Sequence, residues 1–100
     1  MKYNQYKIRA NVWLYPGMAG WHFASVPKDV SEDIEHNFGD IKRGWGSLPV
    51  TVTIGKTSWK TSIFPDKKAN IYLLPLKAAV RKKERIVADN TVSLLLEIII

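Results

Sequence analysis

Cysteine is missing from the 100 residues, which excludes a disulfide framework, a thiol nucleophile and a thiolate metal site. Histidine occurs only as His22 and His36. Two are too few for a histidine-rich metal centre, and neither stands in a recognisable nucleophile motif, so no catalytic residue, metal or cofactor is expected. Long apolar runs are absent as well. The longest is Leu94-Leu95-Leu96, interrupted by Glu97 before Ile98-Ile99-Ile100, and it is far too short to span a bilayer. Met1-Lys2-Tyr3-Asn4-Gln5-Tyr6 has no apolar core of the kind a signal peptide needs. These absences point to a cytoplasmic protein with no membrane partner, folded as one domain over residues 1–100. Acidic residues are scarce: 9 Asp and Glu stand against 15 Lys and Arg, for a net charge of +6. That balance keeps a chain soluble and also favours anionic partners, from carboxylates and phosphates to nucleic acid.

Alternating hydrophobicity is plentiful. In residues 6–14, Tyr6, Ile8, Ala10, Val12 and Leu14 point one way, which reads as a half-buried strand. Pro16-Gly17 and Gly20 make a turn, and residues 21–26 form a second strand pairing with the first. Pro27 ends it and opens a helix over 28–38, with Asp29 and Glu32 at capping-box spacing and Val30, Ile34 and Phe38 as its apolar stripe. Gly39 reads as its left-handed C-terminal stop. The acids Asp29, Glu32, Asp33 and Glu35 on that helix read as a solvated face. After a loop over 40–48 comes the clearest pattern in the chain, a hairpin over 49–65. An even-length turn around Gly55-Lys56 sets Trp59, Thr61 and Ile63 on the same face as Val50, Val52 and Ile54. Phe64-Pro65-Asp66 reads as its end. A short central strand over 70–74 follows, then a helix over 76–85 with Leu76, Ala79 and Val80 facing in. A last strand over 91–100 is apolar on both faces.

The order repeats. Strand, strand, helix and strand occur once before Gly55 and once after it, with Val50-Val52-Ile54 answered by Val92-Leu94-Leu96. Two such β-β-α-β halves cannot bury their apolar faces alone. Packed together they make a mainly β, small antiparallel double-split β-barrel capped by two short helices. The hairpin turn then lies between the halves. The hydroxyls of Thr57, Ser58, Thr61 and Ser62 are expected to satisfy backbone groups where the barrel splits.

The chain also resembles a known family. Trp21-His22-Phe23 with Val26-Pro27, the segment from Gly44 to Pro65, the run Tyr72-Leu73-Leu74-Pro75-Leu76-Lys77-Ala78-Ala79-Val80-Arg81, and Asp89-Asn90-Thr91-Val92 are similar to the domain of unknown function 1905 (DUF1905) family. The resemblance implies a double-split barrel capped by helices, an architecture shared with dimeric bacterial transition-state regulators and antitoxins that bind DNA. It carries no catalytic residue. One departure is Ala88-Asp89 where the family usually has Gly-Asp, a place where Ala is strained if the turn needs positive φ.

The first function expected is binding of a small anionic ligand. Arg43, Trp45, Trp59, Thr61 and Arg81 are the candidate site residues, because aromatic walls with a few polar groups make ligand pockets and a guanidinium grips carboxylate or phosphate bidentately. Nucleic-acid binding ranks second, on charge and on fold analogy. A protein-interaction module is the third reading. The chain is expected to be a monomer, or a weak homodimer through its C-terminal strand, where residues 94–100 would offer an unprotected edge.

Overall fold

The computed structural model describes residues 3–17 and 20–100. Strands β1 (Gln5–Leu14) and β2 (His22–Ser25) precede helix α1 (Lys28–Phe38) and β3 (Leu48–Ile54). Strands β4 (Thr57–Asp66) and β5 (Ile71–Pro75) precede helix α2 (Ala78–Glu84) and β6 (Thr91–Ile98). All pairings are antiparallel, and the strands close into a barrel in the order β1-β2-β5-β4-β3-β6. Residues 18 and 19 of the turn expected around Pro16-Gly17 and Gly20 lie outside the described residues.

The two expected halves map onto each other through the ring. Exchanging β1 with β4, β2 with β5 and β3 with β6 leaves the strand order unchanged. The backbone repeats the exchange bond for bond: Val26 N–H donates to Tyr72 O, and Leu76 N–H donates to His22 O. Ser31 N–H donates to Pro27 O, as Arg81 N–H does to Lys77 O. Both long strands change partner along their length. β1 pairs with β6 up to Asn11 and with β2 from Val12; β4 pairs with β3 up to Ile63 and with β5 from Phe64.

The hairpin has a two-residue turn, Ile54 pairing with Thr57, so Val52 faces Trp59 and Val50 faces Thr61 as the alternation requires. Val50, Val52, Ile63, Leu74, Leu96 and Ile98 fill the barrel, and Ile34 and Phe38 of α1 close one end. Burying this surface drives the fold, and alternation within each strand decides which residues supply it.

Several expectations are corrected. β4 runs through Pro65 instead of ending before it. Its partner Tyr72 sends its own N–H to Ser31 Oγ and receives Val26 N–H on its carbonyl, so the ladder never asks Pro65 for a donor. No capping box forms at Asp29 and Glu32; Pro27 caps α1 without a side-chain bond. Gly39 is right-handed, φ −61°. Its small size matters instead, because a Cβ there would stand 2.7 Å from Glu35 Oε2. Leu76 continues strand-like bonding to His22 O, so α2 begins two residues late and Ala79 faces solvent. Leu14, at the end of β1, is exposed. The turn before β6 places its positive φ on Asp89 (+72°) and not on Ala88, and a short polar side chain tolerates that conformation. That turn, not the hairpin hydroxyls, serves the backbone where β1 changes partner. Asp89 N–H donates to Val12 O, and Val12 N–H donates to Asn90 O. Thr53 and Ser58 bond each other, and Thr57 donates to Glu84. Finally, β6 is paired with β1 on one side and β3 on the other, which leaves no free edge there for a homodimer to extend.

Ser31 is the buried polar residue among the described residues, 3% exposed. Its Oγ donates to Val26 O (3.1 Å) and accepts Tyr72 N–H (3.0 Å), joining α1, β2 and β5 at one atom. Ser31→Ala leaves a buried N–H unpaired, so equilibrium urea unfolding should show a loss of about 1–3 kcal/mol.

Candidate functional site

Each half leaves a hollow beside its helix. In the first half, Ser31, Glu35, Lys42, Asn70, Ile71 and Tyr72 line one of about 540 Å³. The half exchange carries Ser31, Asn70, Ile71 and Tyr72 onto Arg81, Gly20, Trp21 and His22, and these four line a second cleft of about 500 Å³. The two hollows are equivalent in position and differ in chemistry, the first setting Glu32, Glu35 and Asp66 among His36, Lys42 and Lys67.

The wall of the first carries its own ion pair. Tyr72 Oη donates to Glu35 Oε1 at 2.7 Å, and Lys42 Nζ lies 2.6 Å from the same oxygen and 5.7 Å from the Tyr72 ring centre. Hydrogen bonds from Lys42 and then Tyr72 hold the Glu35 carboxyl below its usual range, against partial burial. Burial, and then the bond to Glu35, push the Tyr72 phenol above its usual range.

The second cleft has no such internal anion. β4 brings Trp59, Lys60 and Thr61; the junction of β5 and α2 brings Pro75, Leu76 and Lys77; α2 brings Arg81; and Trp21 and His22 come from the start of β2. Four groups able to carry positive charge line it, and no carboxylate does so among the described residues. The helix beside it, α2, has seven residues against eleven in α1, about one turn fewer. α2 stops where Arg85 turns left-handed (φ +55°) and Ile86 N–H closes on Arg81 O.

Arg81 is fixed by the backbone. Its Nε donates to Leu76 O (3.0 Å) and its Nη2 to Gly20 O (3.2 Å). In the other half Ser31 Oγ donates to Val26 O in the matching place. A guanidinium has five N–H donors, so three remain after these two bonds. Among the described residues no carboxylate pairs with it.

A family model described as a domain of unknown function, DUF1905, matches residues 9–96. The chain belongs to the DUF1905 family. Among curated proteins, none matches the chain.

In this DUF1905 chain three of the five residues singled out from the sequence, Trp59, Thr61 and Arg81, line one cleft. The other two lie elsewhere. Arg43 borders an apolar groove of about 440 Å³ with Phe38, Ile41, Pro49, Ile99 and Ile100. Trp45, 92% exposed, stands on a 3₁₀ turn at Gly44–Gly46 with φ +62°, a turn closed by Ser47 N–H and Oγ on Gly44 O. The loop over 40–48 therefore contributes nothing to the cleft among the described residues. Sequence reasoning did not single out Trp21, His22 or Lys77. The repeat held the signal that finds the first two, because the positions matching them, Ile71 and Tyr72, border the hollow of the other half. No group of three or more metal-ligating side chains gathers among the described residues. No helix among them is long and apolar enough to cross a membrane.

Proposed function

We propose that this DUF1905 domain is a binding module whose cleft takes a small organic anion with a flat apolar body. The observation that carries the reading is the contrast between the halves. Where one half lines its hollow with Glu35 held by Tyr72 and Lys42, the other presents Arg81, Lys60, Lys77 and His22 with no carboxylate among the described lining residues. A ligand carboxylate or phosphate supplies the missing charge. Arg81 is its anchor, with the guanidinium already oriented by Leu76 O and Gly20 O, so little side-chain entropy is lost on binding. Trp59 and Trp21 give the apolar walls, and Thr61 gives a hydroxyl to fix orientation. No catalytic role is assigned to any residue.

A thermal-shift screen of aromatic carboxylates, sugar phosphates and nucleotides, followed by calorimetric titration of the hits, tests this. Hits should raise the melting temperature, and Arg81→Gln should weaken them by about 10- to 100-fold while the far-ultraviolet spectrum is unchanged. A screen without hits, or hits indifferent to Arg81→Gln, overturns the proposal.

A further inference from the structure

The cleft does not end at Trp21. The Trp21 ring lies 6.1 Å from that of Phe23, which is 5.4 Å from Trp13 and 5.7 Å from Tyr15. Phe23 is the buried centre, and Trp21 and Tyr15 are 52% and 40% exposed around it. The barrel does not demand these rings. At the positions matching Trp21 and Phe23 the other half carries Ile71 and Leu73, which serve the same sheet without an aromatic face. On β1, Ile8, Ala10 and Val12 point inward, so Lys7, Arg9 and Trp13 share the outer face, each about 7 Å from the next position of that row. Among the described residues neither Lys7 nor Arg9 has an ion-pair partner. A carboxylate on this sheet face, Glu97, pairs with Gln5 and Thr51, one outer-face position beyond Lys7.

We infer that this strip binds single-stranded nucleic acid, with a base–phosphate unit as the anion of the cleft; the inference rests on the cleft reading above. Phosphates lie on Arg81 at one end and on Arg9 and Lys7 at the other, and bases stack on Trp21 and Tyr15 between them. Charge complementarity favours a polyanion, and the exposed rings favour one with a flat π-face at every unit, which an acidic peptide lacks. A duplex hides those faces inside its own stack.

Fluorescence anisotropy with labelled 12-nucleotide oligo-dT and oligo-rU at 50 mM salt provides the test, beside calorimetry of mononucleotides in the cleft. Tyr15→Leu keeps the apolar packing and removes the ring, and it should weaken the oligonucleotide at least fivefold. Lys7→Ala with Arg9→Ala should make the slope of log K against log salt shallower by roughly 0.7 per cation removed. Both variants should leave mononucleotide binding unchanged. Mononucleotide binding without tighter oligonucleotide binding overturns the strip and leaves the cleft intact. So does a duplex of equal length, or polyglutamate, binding as tightly as the single strand. Absence of both mononucleotide and oligonucleotide binding in the wild-type protein overturns the strip, and the cleft reading falls with it only if aromatic carboxylates and sugar phosphates give no hit either.

Discussion

Phe38→Ala is expected to lower stability by about 3–5 kcal/mol, the range for deleting a buried aromatic from a core. Phe38 is the last residue of α1, 1% exposed, and among the largest of the fully buried side chains. With Ile34 it is the part of α1 that enters the core cluster, while Val30, on the same stripe, is only partly buried against it. Removing the ring loses its transfer free energy and leaves a void beside the apolar groove at Ile41 and Pro49, which opens a path for water. A domain of this size holds about 5–15 kcal/mol in total. The substitution should therefore lower the melting temperature by at least about 12 °C, from roughly 4 °C per kcal/mol. Val30→Ala should cost well under half as much. Thermal and urea unfolding followed by circular dichroism decide it, and a loss below 1 kcal/mol for Phe38→Ala would show that α1 is not keyed into the barrel through that ring.

The stripe that makes this prediction was readable because periodicity is a local property. The same holds for the hairpin turn, where alternation on both sides favours an even count, two or four residues, and the chain uses two. The repeat was readable too, since it is an order of elements. What stayed hidden depends on partners distant in sequence. Pro65 looks like a strand breaker until Tyr72 is seen to send its hydrogen bonds to the opposite side. Gly39 looks like a left-handed stop until Glu35 is seen folded over it toward Tyr72 and Lys42. For the candidate cleft, composition marked residue types that line it, but only the barrel closure says which of them meet. Trp59 and Arg81 converge because β4 and α2 adjoin, whereas Arg43 lies in the groove beside Phe38 and Pro49 and the turn carrying Trp45 packs on the Pro65 end of β4. The charge contrast between hollows was beyond the sequence, since the contact of Glu35 with Tyr72 and Lys42 exists only once α1, β5 and the loop after α1 are folded together.

Gly55→Ala should cost roughly 2–3 kcal/mol, more than a hairpin glycine normally commands, because two separate effects meet there. Gly55 has φ +57°, a conformation that costs an L residue with a Cβ about 1–2 kcal/mol. A Cβ at this place also runs into the carboxylate of Glu84, the last residue of α2. That carboxylate accepts the Thr57 hydroxyl at 2.6 Å, so moving it breaks the bond that ties α2 to the turn between the halves, at a further cost of about 1 kcal/mol. The two effects separate in a double-mutant cycle with Glu84→Ala. If the carboxylate contributes, Gly55→Ala should cost about 1 kcal/mol less in the Glu84→Ala background; strict additivity would leave backbone strain alone and remove the contact from the explanation. Gly55→Asn gives an independent check, since asparagine accepts left-handed φ yet still meets Glu84, and it should retain the coupling while losing most of the strain. The consequence reaches the cleft. α2 carries Arg81 three residues before Glu84, so displacing the end of the helix shifts the guanidinium against Leu76 O and Gly20 O. Gly55→Ala should then weaken anion binding as well as stability, whereas Ser31→Ala, which holds the opposite hollow together, should weaken stability alone.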